Sequence, residues 1–170
     1  MKCDSRIDFL IIDIDGNDYH ILESVLSYGY KPVSIMIEYN SSFPPPKEFI
    51  LPYNELFVWQ NDDFYGASLT SLVKLAKQYN YELIHCTKGG DNAFFVDEKF
   101  YKTFNIINNL DKKMYQLPRY GKNGRTILGK GHPVSKNNAS RFQILLSKFR
   151  YLIMFPIRSV LSLYTEKGKR

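Results

Sequence analysis

Cysteine is nearly absent from this 170-residue chain, Cys3 and Cys86 being the only two. A disulfide framework is thereby excluded, and so is the paired spacing of a zinc site, which leaves both as plain thiols. Histidine is almost as scarce, and no two of His20, His85 and His132 share metal-ligand spacing, so no metal centre is expected from them. No stretch approaches the roughly 20 uninterrupted apolar residues that span a bilayer, and no apolar segment follows Met1-Lys2-Cys3-Asp4-Ser5-Arg6 as it would in a signal peptide. A cytoplasmic location is the expectation. Internal repeats are lacking too. Acid is nearly missing from the last third of the chain: residues 119–170 hold 12 Lys/Arg against Glu166 alone, whereas residues 1–118 hold 11 Lys/Arg against 16 Asp/Glu. The net charge of +6 therefore hides an acidic body and a strongly basic tail. Such a tail meets phosphate, in nucleic acid or at an anionic membrane surface, or is simply solvated.

What is present is the balance of a globular domain, 44% hydrophobic and 24% charged, in a chain long enough for one compact core with an appendage. The run Ile7-Asp8-Phe9-Leu10-Ile11-Ile12-Asp13-Ile14 is apolar on consecutive positions, the pattern of a central strand covered on both faces in a parallel sheet. The cluster Asp15-Gly16-Asn17-Asp18 supplies a turn and a helix cap, after which Ile21, Leu22, Val25 and Leu26 predict a helix over 18–28, closed by Gly29 and Pro32. A second buried strand over 33–39 makes a strand, helix, strand unit with a right-handed crossover. Residues 40–66 are rich in Pro, aromatics and Asn/Asp, and Pro44-Pro45-Pro46 and Pro52 forbid regular structure there. They read as a long ordered loop, a lid over a site, with Trp59, Phe64 and Tyr65 either touching substrate or packing the loop.

A helix over 68–78 follows, then strands over 81–87 and 92–96 flanking the hairpin turn Lys88-Gly89-Gly90-Asp91, and a peripheral helix over 97–110. Residues 1–118 thus form the body, and 119–140, rich in Gly, Lys and Asn, a linker. In 141–170, Phe142, Leu145, Leu146, Phe149, Leu152 and Ile153 form an apolar stripe beside Lys148 and Arg150, with a kink expected at Pro156. That basic amphipathic helical tail either meets an anionic surface or packs on the body.

Chemistry in an open α/β sheet gathers at the carboxyl ends of its strands. Asp13, Asp15 and Asn17 fall at or just past the end of the first strand, and Glu38, Tyr39 and Asn40 at the end of the second, so one crevice receives both groups. Neighbouring carboxylates there orient an acceptor hydroxyl, remove its proton or hold a divalent cation. Asn17 and Asp18 also suit an ordinary turn and cap. An acid beside the end of an apolar strand costs desolvation unless paired, so the bland account of Asp13 and Glu38 is an ion pair, with Lys31 or Lys47 as partner.

The strings Ile7-Asp8-Phe9-Leu10 through Ile12-Asp13-Ile14-Asp15-Gly16-Asn17-Asp18-Tyr19 and Val33 to Ile37-Glu38-Tyr39-Asn40 resemble the later half of FkbM-type S-adenosylmethionine-dependent methyltransferase domains. The resemblance continues through Tyr65-Gly66-Ala67-Ser68-Leu69, Tyr81-Glu82-Leu83 and Asn92-Ala93-Phe94-Phe95-Val96, and covers residues 6 to 101. It implies a Rossmann-like sheet in which these are the fourth to seventh strands, the last pair an antiparallel hairpin. It also implies transfer of a methyl group to an oxygen of a saccharide or small metabolite. Asp13, Asp15 and Glu38 would be catalytic, and Asn17, Tyr39, Asn40, Tyr65 and Asn92 would border the acceptor. The family's Gly-rich turn and ribose-binding acid would precede Arg6, and no Gly-x-Gly opens a helix elsewhere; Gly129-Lys130-Gly131 lies in the linker. Binding of S-adenosylmethionine is therefore expected to need a missing amino-terminal half or a second copy of the chain. The other reading is a non-catalytic, methyltransferase-like interaction module that presents its basic tail to a membrane or nucleic acid.

Overall fold

The computed structural model describes residues 6–60 and 62–118. Strands and helices alternate along them as β1 (Arg6–Ile12), α1 (Asp18–Ser27), β2 (Lys31–Glu38), α2 (Leu69–Gln78), β3 (Tyr81–Cys86) and β4 (Asn92–Asp97). The protein is an α/β chain, as its periodicities predict. The expected linker and basic tail lie outside the described residues, as do Cys3 and His132.

Local chemistry accounts for the elements. In α1, Leu22 and Leu26 stand one turn apart and are both buried, while Ile21 on the outer face is exposed. The helix ends where Gly29 takes a φ of +89°, a conformation open to glycine, with its N–H donating to the Leu26 carbonyl at 3.1 Å. Helix α2 begins at a Ser cap: Ser68 Oγ accepts from the Ser71 N–H at 3.3 Å. Leu69, Leu72, Leu75 and Ala76 then recur on its inner face. The same cap anchors the preceding loop, because Phe49 N–H donates to Ser68 Oγ at 3.1 Å and Ser68 N–H to the Phe49 carbonyl at 2.9 Å.

The strands form one mixed sheet in the order β1-β2-β4-β3. β1 and β2 are parallel with Ile12 opposite Ile37, and β4 runs antiparallel to both of its neighbours. The hairpin therefore folds its second strand into the sheet interior and leaves β3 at the rim, which suits a β4 whose Ala93, Phe95 and Val96 are all buried. Paired residues share a face, so Leu10, Ile12, Ile35, Ile37, Ala93, Phe95 and Leu83 line one side. Both helices pack there, and Leu22, Leu26, Leu69, Leu72, Leu75 and Ala76 complete a single core.

Two expectations need correction. β1, read as central and covered on both faces, lies at the sheet edge among the described residues, and its outer side chains Phe9 and Ile11 are 46% and 57% exposed. With α1 and α2 on the same side, nothing described covers Phe9 and Ile11, and Met36 and Phe94 continue this open apolar face as half-buried neighbours. The helix expected over 97–110 is broken into α3 (Glu98–Tyr101), a 3-10 turn (Lys102–Phe104) and, after an irregular stretch, α4 (Asp111–Met114). Asn105 ends the first piece by adopting a left-handed φ of 49°, and the Ile-Ile-Asn-Asn run after it is poor in helix-favouring residues, with Asn108 Oδ1 accepting from Leu110 N–H just before α4.

Beyond α4 the chain returns across α2 to the carboxyl end of β2. Thr70 Oγ1 donates to Asp111 Oδ2 at 2.6 Å, Tyr115 OH to the Ser41 carbonyl at 2.6 Å, and Tyr39 OH to the Gln116 carbonyl at 3.2 Å. Leu117 thereby comes to lie against Gly90, with its carbonyl oxygen 2.7 Å from where a Cβ on Gly90 would stand. Among the described residues no helix is long and apolar enough to cross a membrane.

Candidate active site: carboxylates at the strand ends

The turn that follows β1 is shaped by an acid from the helix after it. Asp18, fully buried in the first turn of α1, accepts from the N–H groups of Ile14 at 3.0 Å and Gly16 at 2.8 Å. Those bonds curl the chain so that Asp15 sits at φ +59°, a left-handed conformation Asp tolerates better than most residues but at some cost. Gly16 carries no side chain for a steric reason: a Cβ there would overlap the Phe57 ring, which the long loop lays over the turn. The loop is pinned by Asn17, whose Nδ2 donates to the Asn54 carbonyl at 2.8 Å while its Oδ1 accepts from Asn54 N–H at 3.2 Å.

This turn delivers Asp13 and Asp15 beside Glu38 at the end of β2. Ligand oxygens from the three all lie within 4.8 Å of one another. Burial, reinforced by the negative charges of Asp18, Asp13, Asp15 and Asp91, pushes the Glu38 carboxyl up to about 8. Asp13 is raised as well, by burial first and then by Asp18, Asp15 and Asp91. Like charges this close cannot all ionise freely, so the cluster keeps a proton near neutrality.

Among the described residues no cation relieves it. The ion pairs among the described residues are Lys74 with Glu48 at 2.5 Å and Lys99 with Asp97 at 2.8 Å, both away from the cluster. The ion-pair account of Glu38 therefore fails there: Lys47 instead places its Nζ 4.6 Å over the Phe43 ring, and Lys31 exerts its charge on Asp97 at the far end of the sheet. Glu38 Oε2 is buried with no hydrogen-bond partner, and so is Oδ1 of Asn92, the residue opposite Glu38 in the sheet register. Unsatisfied buried acceptors are rare enough to ask for an occupant. Two chemistries answer: an acceptor hydroxyl that donates to a carboxylate and gives up its proton, or an oxygen-ligated cation, whose bonds of about 2.3–2.6 Å match the spacing.

The remaining candidates divide between shaping and contact. Asn40 is fully buried and spends its side chain on the loop, donating to the carbonyls of Asp63 and Tyr65 and accepting from Ser42 N–H. Tyr39 is likewise inside, tied to Gln116, and Tyr65 is buried edge-on to Trp59 with ring centroids 5.9 Å apart. These three are spent on the core and the loop, whereas Asp13 and Asp15 are exposed to an incoming ligand. Trp59 packs the loop through its Nε1–H to the Asp62 carbonyl at 2.9 Å. His20 meets the Leu51 carbonyl at 2.8 Å and stacks edge-on with Tyr53, while Cys86 is buried with its thiol pushed up to about 12. Lys88-Gly89-Gly90 forms the hairpin turn, with Thr87 Oγ1 bonded to the Asp91 carboxylate.

Sequence reasoning missed Asp91 and Phe57. Asp91 reads as one more turn residue, and only the β2–β4 register brings it beside Glu38; no local signal marks Phe57 among the loop's aromatics. No family model matches the chain, and neither the curated proteins nor the solved structures contain a significant match.

Proposed function

We propose that this chain carries the acceptor side of an S-adenosylmethionine-dependent O-methyltransferase acting on a saccharide or small metabolite. The observation that carries the reading is the unpaired carboxylate trio of Asp13, Asp15 and Glu38 at the end of a parallel strand pair, where an α/β sheet binds its ligands. An acceptor hydroxyl must lose its proton as it attacks a methyl carbon, and a base titrating near the working pH does this best. Glu38, lifted to about 8 by burial and its acidic neighbours, has that property. Asp13 and Asp15, open to solvent, would orient the hydroxyl and neighbouring polar groups of the acceptor. The resemblance of the Asp-Ile-Asp-Gly-Asn-Asp-Tyr and Ile-Glu-Tyr-Asn strings to the FkbM type supplies the methyl transfer itself.

The roles assigned here stop at the acceptor and leave the cradle for the adenosyl group unassigned. The open edge of β1 and the uncovered Phe9 and Ile11 are where a further segment or second chain would add to the sheet and complete such a cradle. Calorimetric titration of the purified chain with S-adenosylmethionine tests this. No heat from the folded chain, with binding restored by the completing segment, is the expected result; micromolar affinity, about −8 kcal/mol, for the chain alone would place the cofactor site within these residues. Methyl transfer by the complete assembly that survives both Asp13→Asn and Glu38→Gln would refute the assigned roles.

A further inference from the structure

We propose that the acceptor is a phenol, its ring lying on the open sheet face beside the carboxylate cluster and its hydroxyl directed at Glu38. This narrows the reading above and rests on it. Strand alternation places the site. Ile37 and Ala93 belong to the helix-packed core, so their neighbours Glu38 and Asn92, paired across β2 and β4, stand on the opposite, open face. One row away on that face, Ile11, Met36, Phe94 and His85 form a line across all four strands: Ile11 pairs with Met36, Met36 with Phe94, and Phe94 with His85. The Phe94 and His85 rings are 5.9 Å apart at a 43° tilt, so the line ends at the rim strand. Phe9 stands a further row away and is left to the segment that completes the sheet.

The floor selects the chemistry of its occupant. Rows on one face of a strand are about 7 Å apart and neighbouring strands about 4.8 Å, so the area next to Glu38 and Asn92 has the dimensions of one or two rings. Its central residues are a thioether and an aromatic ring, Met36 and Phe94, and both favour an aromatic partner. The side chains from Ile11 to Phe94 offer no hydrogen-bonding group of ordinary strength, whereas a saccharide laid there would strand several hydroxyls. Polar demand is confined to one end. There Glu38 Oε2 and Asn92 Oδ1 are buried acceptors without donors, and no ion pair of the described residues reaches the acids. A single hydroxyl on a planar apolar body complements that arrangement. Acidity agrees with it: a phenol ionises at about 10, close to a carboxyl that burial lifts to about 8, while an aliphatic hydroxyl is a far weaker acid. In the reaction, ionised Glu38 takes the phenolic proton as the oxygen bonds to the methyl carbon of S-adenosylmethionine. The methyl–sulfur bond breaks, its electron pair stays on sulfur, and S-adenosylhomocysteine leaves.

The test titrates the full 170-residue chain with para-cresol, with its methyl ether, which has no hydroxyl proton, and with methyl glucoside. The readout is the NMR resonance of the Met36 methyl group, identified by its loss in Met36→Leu. Para-cresol should move that resonance by its ring current and saturate; the ether should bind about tenfold more weakly, for want of a donor to the buried acceptors, and the glucoside should leave it unmoved. Phe94→Leu, which keeps an apolar side chain and removes the ring, should weaken para-cresol about fivefold in a chain whose thermal melt shows it folded. Equal binding of cresol and ether would reduce the face to apolar contact. A response to glucoside and not to cresol would make the acceptor a saccharide and keep the methyl-transfer reading. A Met36 shift that follows protein concentration without any probe would give the face to a second copy. Each of these overturns the proposal, as does silence towards every probe. Absence of methyl transfer by the complete assembly would sink the assigned reaction and leave the cresol result standing, so the two failures are separable.

Discussion

At the scale of single residues, Glu38 and Asp18 show how two buried acids in one turn region take opposite parts. Asp18 is satisfied by two backbone N–H groups and makes the turn, so Asp18→Ala leaves both donors buried and unmet and should cost roughly 2–4 kcal/mol in urea denaturation, with Asp18→Asn recovering part of it. Glu38 has no partner for Oε2 and is held neutral well above the ordinary range. A carboxyl raised in the folded state favours folding below its unfolded value, near 4.5, and loses that contribution as pH climbs through about 8. Melting temperature should therefore fall across that window, and Glu38→Gln should flatten the fall and be the more stable protein at its alkaline end. A profile of the same slope in the variant would mean that the acidic cluster is not the source. The sequence marked Glu38 and Asp13 as costly at strand ends; Glu38 Oε2 is buried there while Asp13 is exposed, and the side-chain amide of Asn40, offered as a ligand contact, bonds Asp63, Tyr65 and Ser42.

Elements were the most legible level, because α1, α2 and the strands each rest on patterns readable within a dozen residues. Ser68 caps α2, but its worth is tertiary: the same Oγ also receives Phe49 N–H. Ser68→Ala should thus cost more than the ~1 kcal/mol of an ordinary cap, and should loosen amide-exchange protection of Phe49 in the loop as well as the first turn of α2. At the other end of the loop, Gly16→Ala would drive a methyl into the Phe57 ring. A destabilisation of roughly 1–3 kcal/mol with an altered Trp59 emission is expected, since the ring must leave the turn to make room. The broken helix after β4 was misread for a reason of the same kind: its apolar spacing is helical, but Asn105 turns left-handed and the chain bends back to bring Tyr115 to Ser41 and Gln116 to Tyr39.

At the scale of the whole molecule the notable feature is asymmetry: among the described residues, one sheet face is packed by two helices and the other is open along Phe9, Ile11, Met36 and Phe94. A strand apolar on consecutive positions normally has cover on both sides. Replacing Phe9 and Ile11 together by Ser should change stability by under about 1 kcal/mol, because both are already half exposed, while reducing self-association at high concentration and binding of hydrophobic dyes. Unfolding of the double variant at much lower urea would show that the face is covered after all.

The sequence by itself determined the α/β class, the element order, the location of the loop and the presence of acids at two strand ends, because each follows from short-range periodicity, turn chemistry and the cost of an acid beside an apolar strand. It also determined the split between an acidic body and a basic tail. Only the tertiary structure decided that both helices share one face, that β4 enters the sheet between β2 and β3, that Asp91 joins the cluster, and that no described lysine answers it. Those depend on pairing register and on which face each element buries, and residues 50 positions apart settle them through contact.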